Sequence, residues 1–303
     1  IVRVFWCRRT IFYSKYGRKR NSMWPVIYDF GTFTFFGREI HLAIYSYGFM
    51  LVVAFYTCFF LLQKEFKRIG KDVQLASDIV FFAAVGGIVG SKIYYLIENF
   101  GRVLDDPIGM IFSGSGLVFL GGLMGGTLGV TWVIQKQNLN WFKMSDIVAP
   151  LLILGYGIGR IGCFLVGDDY GIPTHLPWGI IFESGLPPTT YQSFQFNYSW
   201  ISLDGFEPGL LSVHPTQLME TALALCIFGY LWSRREKIVF DGQLFFTYLV
   251  FAGLQRFCIE FIRTNVKYIA GLTGSQIISI FMILIGVYFL WFNRQVNVPQ
   301  PSD

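Results

Sequence analysis

Five charged residues stand inside otherwise apolar stretches: Lys92, Arg160, Glu220, Arg256 and Glu260. Within a bilayer core a charge is expensive unless it is paired or wetted, so such residues mark functional positions by default. Arg256 and Glu260 are spaced i,i+4, and Arg263 follows three residues later, which sets all three on one helix face. That face carries one net positive charge and points to an anionic guest; the bland alternative is a structural ion pair. Arginine suits bidentate phosphate contacts, and a lipid phosphate is the natural anion at this depth. His214, Gln217 and Glu220 open a further apolar stretch, where Pro215 suits a first helical turn. Tyr47 opens the first stretch. His41 and His175 read as ordinary boundary and loop histidines.

These residues need long helices to hold them. The chain has 303 residues, 53% hydrophobic and only 14% charged, with 32 Phe and 33 Gly. Soluble domains carry about 25% charged residues, so disorder is excluded and a water-soluble globule is disfavoured. A membrane-crossing helix needs about 20 apolar residues. Seven candidates meet this: 41–62, 76–97, 116–134, 146–165, 215–232, 243–262 and 275–292. The expected fold is an all-α integral membrane protein, seven transmembrane helices with a small extracytoplasmic head. Gly86, Gly87 and Gly90, with Gly121, Gly122, Gly125, Gly126 and Gly129, show the small-xxx-small spacing of closely packed helices. The five cysteines lack CxxC spacing, so neither a disulfide framework nor a zinc site is expected. No cofactor or metal is called for.

Orientation follows from Lys and Arg in the loops. Lys64, Lys67, Arg68, Lys71, Lys136, Lys143, Arg234, Arg235, Lys237 and Arg294 alternate onto one side, against Arg38, Arg102, Arg263 and Lys267 on the other. This predicts a cytoplasmic C-terminus and an outer N-terminus. Segment 166–213 has no Lys or Arg and carries Asp168, Asp169, Glu183, Asp204 and Glu207, so it reads as the outer head. Its prolines and aromatics, among them Tyr191, Phe196 and Trp200, suit contact with a peptide or with the membrane interface. Lys92, Arg160, Arg256 and Glu260 then share the outward half of their helices, which predicts one polar cavity open to the outer leaflet. The formal charge of +5 sits in residues 1–22, which hold seven basic residues and no acid, leaving 17 basic against 19 acidic residues. A basic leader outside breaks the asymmetry that the other loops obey. Residues 1–22 are therefore expected to lie outside the mature protein, and 23–303 to form the seven-span domain.

The stretch GRIGCFLVGDDYG at 159–171 resembles the GRxGNFxNxExxG signature of the prolipoprotein diacylglyceryl transferase family. YGFM at 47–50, SGLVFLGGLMGG at 115–126, SDIVAP at 145–150, HPTQLME at 214–220 and GLQRFCIEFIR at 253–263 are similar to further family segments in the same order. The resemblance runs from about 41 to 292. It implies transfer of the diacylglyceryl group of phosphatidylglycerol to the lipobox cysteine of a prolipoprotein, forming a thioether, in the bacterial cytoplasmic membrane. The implied partners are phosphatidylglycerol, membrane lipid and a prolipoprotein signal peptide; nucleic acid is not among them.

Carried over by position, the resemblance makes Arg160, Gly171, Arg256, Glu260 and Arg263 functional, with Tyr47, His214, Gln217 and Glu220 in support. Arg160 and Arg256 would stabilise the leaving phosphate. Asp168 stands where the signature has Glu. Two departures bear on the nucleophile. The family's His before GGL is Leu120 here, and its first signature Asn is Cys163. A free thiol has a pKa near 8.5, so it needs a base or a positive field. Asp168 or His214 could be that base, or the arginines could supply the field. A divergent member with another acceptor, or with lipid binding alone, is the alternative. A transporter would set its polar groups near the midplane in repeated halves; no internal repeat is present.

Overall fold

The computed structural model describes residues 23–35, 38–112, 118–268 and 270–296; the basic segment 1–22, with the expectation made for it, lies outside them. In chain order the elements are β1 (Val26–Phe35), β2 (Arg38–Tyr45), α1 (Ser46–Arg68), α2 (Gln74–Glu98), α3 (Phe100–Asp105), α4 (Pro107–Phe112), α5 (Phe119–Lys136) and α6 (Trp141–Val166). There follow α7 (Tyr191–Asn197), α8 (Thr216–Arg234), α9 (Gln243–Ile259), a 3-10 turn at Glu260–Ile262 and α10 (Gly274–Val296). A long helix covers most of each of the seven apolar stretches. Five of these helices, α1, α2, α6, α9 with its 3-10 turn, and α10, are long and apolar enough to cross a membrane. Their unpacked sides show Val52, Phe81, Ile88, Phe281 and Leu284 to the surroundings, as suits a membrane protein.

The all-α expectation needs one correction. β1 and β2 form an antiparallel hairpin, with Val26 opposite Tyr45 and Phe35 opposite Arg38. The run VIYDFGTFTF is rich in β-branched and aromatic residues, which fit a pleated surface. Residues 41–45 therefore belong to a strand, and the first long helix begins at Ser46, not at 41. The hairpin base is tied to the helices: Ser46 N donates to Pro25 O at 3.0 Å and Trp24 N to Leu165 O at 3.2 Å.

The glycines of α2 and α5 do what their spacing implies. A Cβ on Gly86 would stand 2.4 Å from Gly125 O, and one on Gly90 2.4 Å from Gly121 O. Any larger residue would force the two backbones apart.

Helix α6 is the axis of the rest. It packs against α1, α8 and α9. Over its most apolar stretch it is 56% buried, against 11% for α2. Asn140 caps its start, its side chain accepting from Phe142 N and Lys143 N. Asp146, in the SDIVAP segment, accepts from Gly242 N at 2.7 Å and Phe245 N at 2.9 Å. A carboxylate on the N-terminus of α9 meets its free N–H groups and its positive end, which fixes α9 against α6. The α6 helix stops at Gly167, whose φ of 75° is the left-handed value that glycine adopts at little cost.

Beyond Gly167 the chain folds back over the ends of α6, α8 and α9. Tyr170, Phe182, Phe194, Leu211 and Val213 form a separate buried cluster there. The Tyr170 ring stacks on Phe182 at 5.5 Å, and its hydroxyl donates to Pro187 O at 2.6 Å.

Candidate active site

Three segments distant in sequence are stitched together at this end of the bundle. Gly171 N donates to His214 O at 2.9 Å, Ile172 N to Ile262 O at 2.9 Å and His214 N to Ile172 O at 3.1 Å. A Cβ on Gly171 would lie 2.4 Å from Ile262 O and 2.8 Å from Thr216 Cγ2. Gly171 is therefore the spacer that lets the end of α6, the start of α8 and the end of α9 meet.

Their charged side chains converge on Glu220, fully buried on the second turn of α8. Its Oε1 meets Arg256 Nη1 at 3.1 Å, and its Oε2 meets Arg263 Nη1 at 3.5 Å and, more closely, Arg160 Nε. Arg256 Nη2 reaches Glu260 Oε2 at 3.1 Å, the i,i+4 pair expected from the sequence, and Ser275 Oγ at 3.2 Å. Glu260 also accepts from Asn265 Nδ2 at 2.5 Å, and Arg263 Nε stands 3.9 Å from it. Gln255 Nε2 donates to Glu220 O at 3.0 Å.

The carboxylate that completes the cluster is Asp169. Its Oδ2 lies 2.6 Å from Arg160 Nη1 and its Oδ1 2.9 Å from Arg263 Nη2. Asp168, which stands where the signature has Glu, makes no ion pair with these arginines. The backbone decides this. Gly167 and Asp169 both take left-handed conformations, with φ of 75° and 57°, so adjacent carboxylates point to different neighbours. Thr216 Oγ1 donates to Asp169 O at 2.8 Å and Gln217 Nε2 to Asp168 O at 2.5 Å, which holds the turn.

Charge arithmetic changes with these contacts. Arg160, Arg256 and Arg263 face Asp169, Glu220 and Glu260, three against three. The single positive excess expected from Arg256, Glu260 and Arg263 is cancelled within the cluster. Even so, the buried Arg160 Nε, Arg263 Nε and Arg263 Nη1 have charged neighbours but no aligned hydrogen-bond acceptor.

Asp168 stands at the other edge of the cluster. A carboxylate oxygen lies within 4.8 Å of the Cys163 Sγ, and its Oδ1 is buried without a hydrogen-bond partner. Burial, reinforced by the Asp169 charge, pushes its pKa up to about 6. Asp169 goes the other way: burial opposes ionisation, but Arg263 and Arg160 outweigh it and hold the carboxyl below its ordinary range. Cys163 is buried, with Sγ 3.5 Å from Arg160 Nη1. Ligand atoms of Cys163, Asp168 and Asp169 lie within 4.8 Å of one another. The Arg160 guanidinium touches two of the three, which sets a positive charge where a cation would need to sit.

The remaining candidates fall into place around this core. Gln217 is buried at the start of α8. Tyr47 packs over Gly162, where a Cβ would meet its ring at 3.2 Å. His214 accepts at Nδ1 from Trp178 Nε1 at 3.2 Å. An indole N–H only donates, so the neutral ring carries its proton on Nε2 and its lone pair is engaged. Burial also lowers the His214 pKa. Lys92, grouped with the arginines by sequence, lies on α2 with its amine 5.3 Å from the Tyr95 ring centroid. Leu120 is 43% exposed in the first turn of α5. The side chain of His41 lies outside the described residues.

A cavity of about 520 Å³ opens beside the cluster, lined by Arg256, Arg263, Asn265 and Ser275 on its polar side and by Trp200 and Tyr268 among its aromatics. Sequence reading missed Asp169, Asn265 and Ser275. A doublet of acids directly after a helix-ending glycine was the available signal for the first; the other two had none.

Residues 36–292 match the family model described as prolipoprotein diacylglyceryl transferase. A phosphatidylglycerol–prolipoprotein diacylglyceryl transferase of Clostridium tetani is 32% identical over 255 residues, 84% of this chain and 94% of the relative. Enzymes of the same name from a Shewanella species and from Stenotrophomonas maltophilia are each 33% identical, over 88% and 86% of this chain and 94% and 91% of their own. With the match spanning the site and all seven long helices, the chain belongs to the prolipoprotein diacylglyceryl transferase family.

Proposed function

We propose that this transferase moves the diacylglyceryl group of phosphatidylglycerol to the lipobox cysteine of a prolipoprotein at the Arg160–Arg256–Arg263 cluster. The cysteine sulfur attacks the glyceryl carbon bonded to the phosphate oxygen. A C–S bond forms, the C–O bond breaks, and its electron pair leaves on glycerol phosphate. Arg160 and Arg256 stabilise the negative charge that develops there, as preorganised donors do. The thiol proton goes to Asp168. With a pKa near 6 this carboxylate is ionised at neutral pH yet basic enough to accept a proton. His214 is a positioning residue: its backbone holds Gly171 and Ile172, and its ring lone pair is engaged by Trp178. Gly171 spaces the segments, and Tyr47, Gln217, Glu220, Glu260 and Arg263 shape and hold the lipid site.

The same reading gives seven transmembrane helices in the bacterial cytoplasmic membrane, with the C-terminus inside and the 166–213 head outside. The positive-inside bias of the loops supports it, as do the five helices that are long and apolar enough to cross a membrane among the described residues. The observation that carries the reading is the meeting of three arginines, two of them buried, around one buried glutamate beside an open cavity. The test is to express the chain in cells depleted of their own transferase and follow lipoprotein modification. Rescue that disappears in Arg160→Ala, at equal membrane abundance, is the expected result. Failure of the unmodified chain to rescue, though well inserted, counts against the activity.

A further inference from the structure

The charge balance of the cluster raises a problem for any phosphate that enters it. Three guanidiniums already face three carboxylates, so an added phosphodiester leaves the site one charge in excess. Some carboxylate must give way, and the three are not equal. Glu220 and Glu260 are buried, and each contacts at least two arginines. Freeing either would strand a charge away from water, which is costly. Asp169 is different. Its side chain is 48% exposed, while the Arg160 and Arg263 side chains it bridges are 8% and 6% exposed. It closes the solvent side of both.

Resting on the transferase reading, we infer that Asp169 is a displaceable counter-ion: the phosphate of the incoming lipid takes its place between Arg160 and Arg263, and the carboxylate turns into water. Its two oxygens each hold one guanidinium, at 2.6 and 2.9 Å, and two non-bridging phosphate oxygens can make the same pair of contacts. Arg160 Nε, Arg263 Nη1 and Arg263 Nε stay turned to Glu220 and Glu260, so both guanidiniums remain anchored from below while their outer nitrogens change partner. The backbone need not move. Asp169 O stays held by Thr216 Oγ1, so only the side chain exchanges. The device keeps the arginines neutralised and ordered until the lipid arrives, and it sets an affinity that the lipid must overcome.

Asp169→Asn tests this directly, because Asn tolerates the left-handed backbone at φ 57° and keeps the shape while removing the charge. Binding of short-chain phosphatidylglycerol to the detergent-solubilised chain is measured alongside diacylglycerol, which has no phosphate, and alongside the thermal midpoint. The variant should bind phosphatidylglycerol on the order of tenfold more tightly, since one charge repelling the guest is gone, with diacylglycerol affinity unchanged and a lower KM in transfer. Asp169→Glu, which retains the charge, should stay close to the unmodified chain. Equal or weaker phosphatidylglycerol binding by a folded Asp169→Asn overturns the exchange and leaves the phosphate to Arg160 and Arg256 with the Asp169 bridge intact. Tighter binding without transfer by either protein supports the exchange while removing the proposed activity.

Discussion

Two buried ion networks sit at opposite ends of this bundle, and they are built from the same residue types. At the end away from the site, the buried Glu65 takes Arg68 at its carboxylate and Arg235 Nε at 3.3 Å, while Arg235 Nη2 reaches Glu236 at 3.1 Å and its guanidinium lies 4.4 Å over the Trp232 ring. At the other end, Glu220 holds Arg160, Arg256 and Arg263. Each centres on one buried glutamate that holds more than one arginine. They differ in surroundings. A cavity of about 520 Å³ opens beside the Glu220 network, where Arg256, Glu260 and Arg263 line it, and no residue of the Glu65 network contributes to its wall. All the buried side-chain atoms without hydrogen-bond partners that belong to arginine lie at the Glu220 end, among the described residues. A buried ion pair is thus weak evidence of function; open space beside it, and arginines held by charge without a full set of aligned hydrogen bonds, are what separate a site from a lock.

The sharpest way to break this comparison is to neutralise the central glutamate of each network. Glu220→Gln leaves three arginines without their shared partner. Breaking a buried pair costs about 3 kcal/mol or more, so the thermal midpoint should fall markedly. Transfer should fall by about two orders of magnitude as Arg160 and Arg256 lose their geometry. Equal losses of stability from Glu220→Gln and Glu65→Gln, with transfer intact in both, would erase the distinction between the two ends.

Asp168→Asn comes next. A positioned general base contributes about 10²- to 10⁴-fold, so transfer should drop by about a hundredfold with folding preserved. The sign of the pH effect follows from its raised pKa. A base works only when deprotonated, so kcat/KM of the unmodified chain should fall as pH drops through about 6. In the variant that acid limb should vanish. A limb that persists would assign the titration to another group.

Glu65→Gln gives a smaller effect of a different kind. Arg68 and Arg235 are partly exposed, at 38% and 24% of their side chains, so water screens what they lose. A drop of about 1 kcal/mol in stability is expected, with KM for phosphatidylglycerol unchanged. A raised KM would connect the two ends through α1 and α8.

How much of this could be read beforehand depended on where the controlling physics lies. The long helices were legible because apolar length is a local property of the chain, and Arg256–Glu260 because i,i+4 spacing fixes a shared helix face. The hairpin was not, since the apolar residues of β2 run without a break into α1 and extend its pattern. Leu42 and Ile44 are as apolar as Leu51 and Val52. The choice between Asp168 and Asp169 was not legible either. It rests on two successive left-handed turns at Gly167 and Asp169, and a signature aligned by position counts residues without seeing where they point. Asn265 and Ser275 joined the cluster only through tertiary contact with Glu260 and Arg256.

Leu120→His should have the smallest effect, and it tests the comparison from outside both networks. By family resemblance this is the position of the missing base. In the structure Leu120 lies in the first turn of α5, 43% exposed, on a helix whose close partner is α2 and whose packing on α6 is slight. The arginine cluster is built by α6, α8 and α9. With Asp168 already beside Cys163 and Arg160 at the turn after α6, a second base on α5 adds little, and transfer should change by about twofold or less. A tenfold rise would mean that the thiol meets its base on α5. Combining it with Asp168→Asn then decides the matter: rescue of the Asp168 loss by the histidine moves the proton-accepting edge of the site to α5, whereas an unrescued double variant keeps it at the turn after α6.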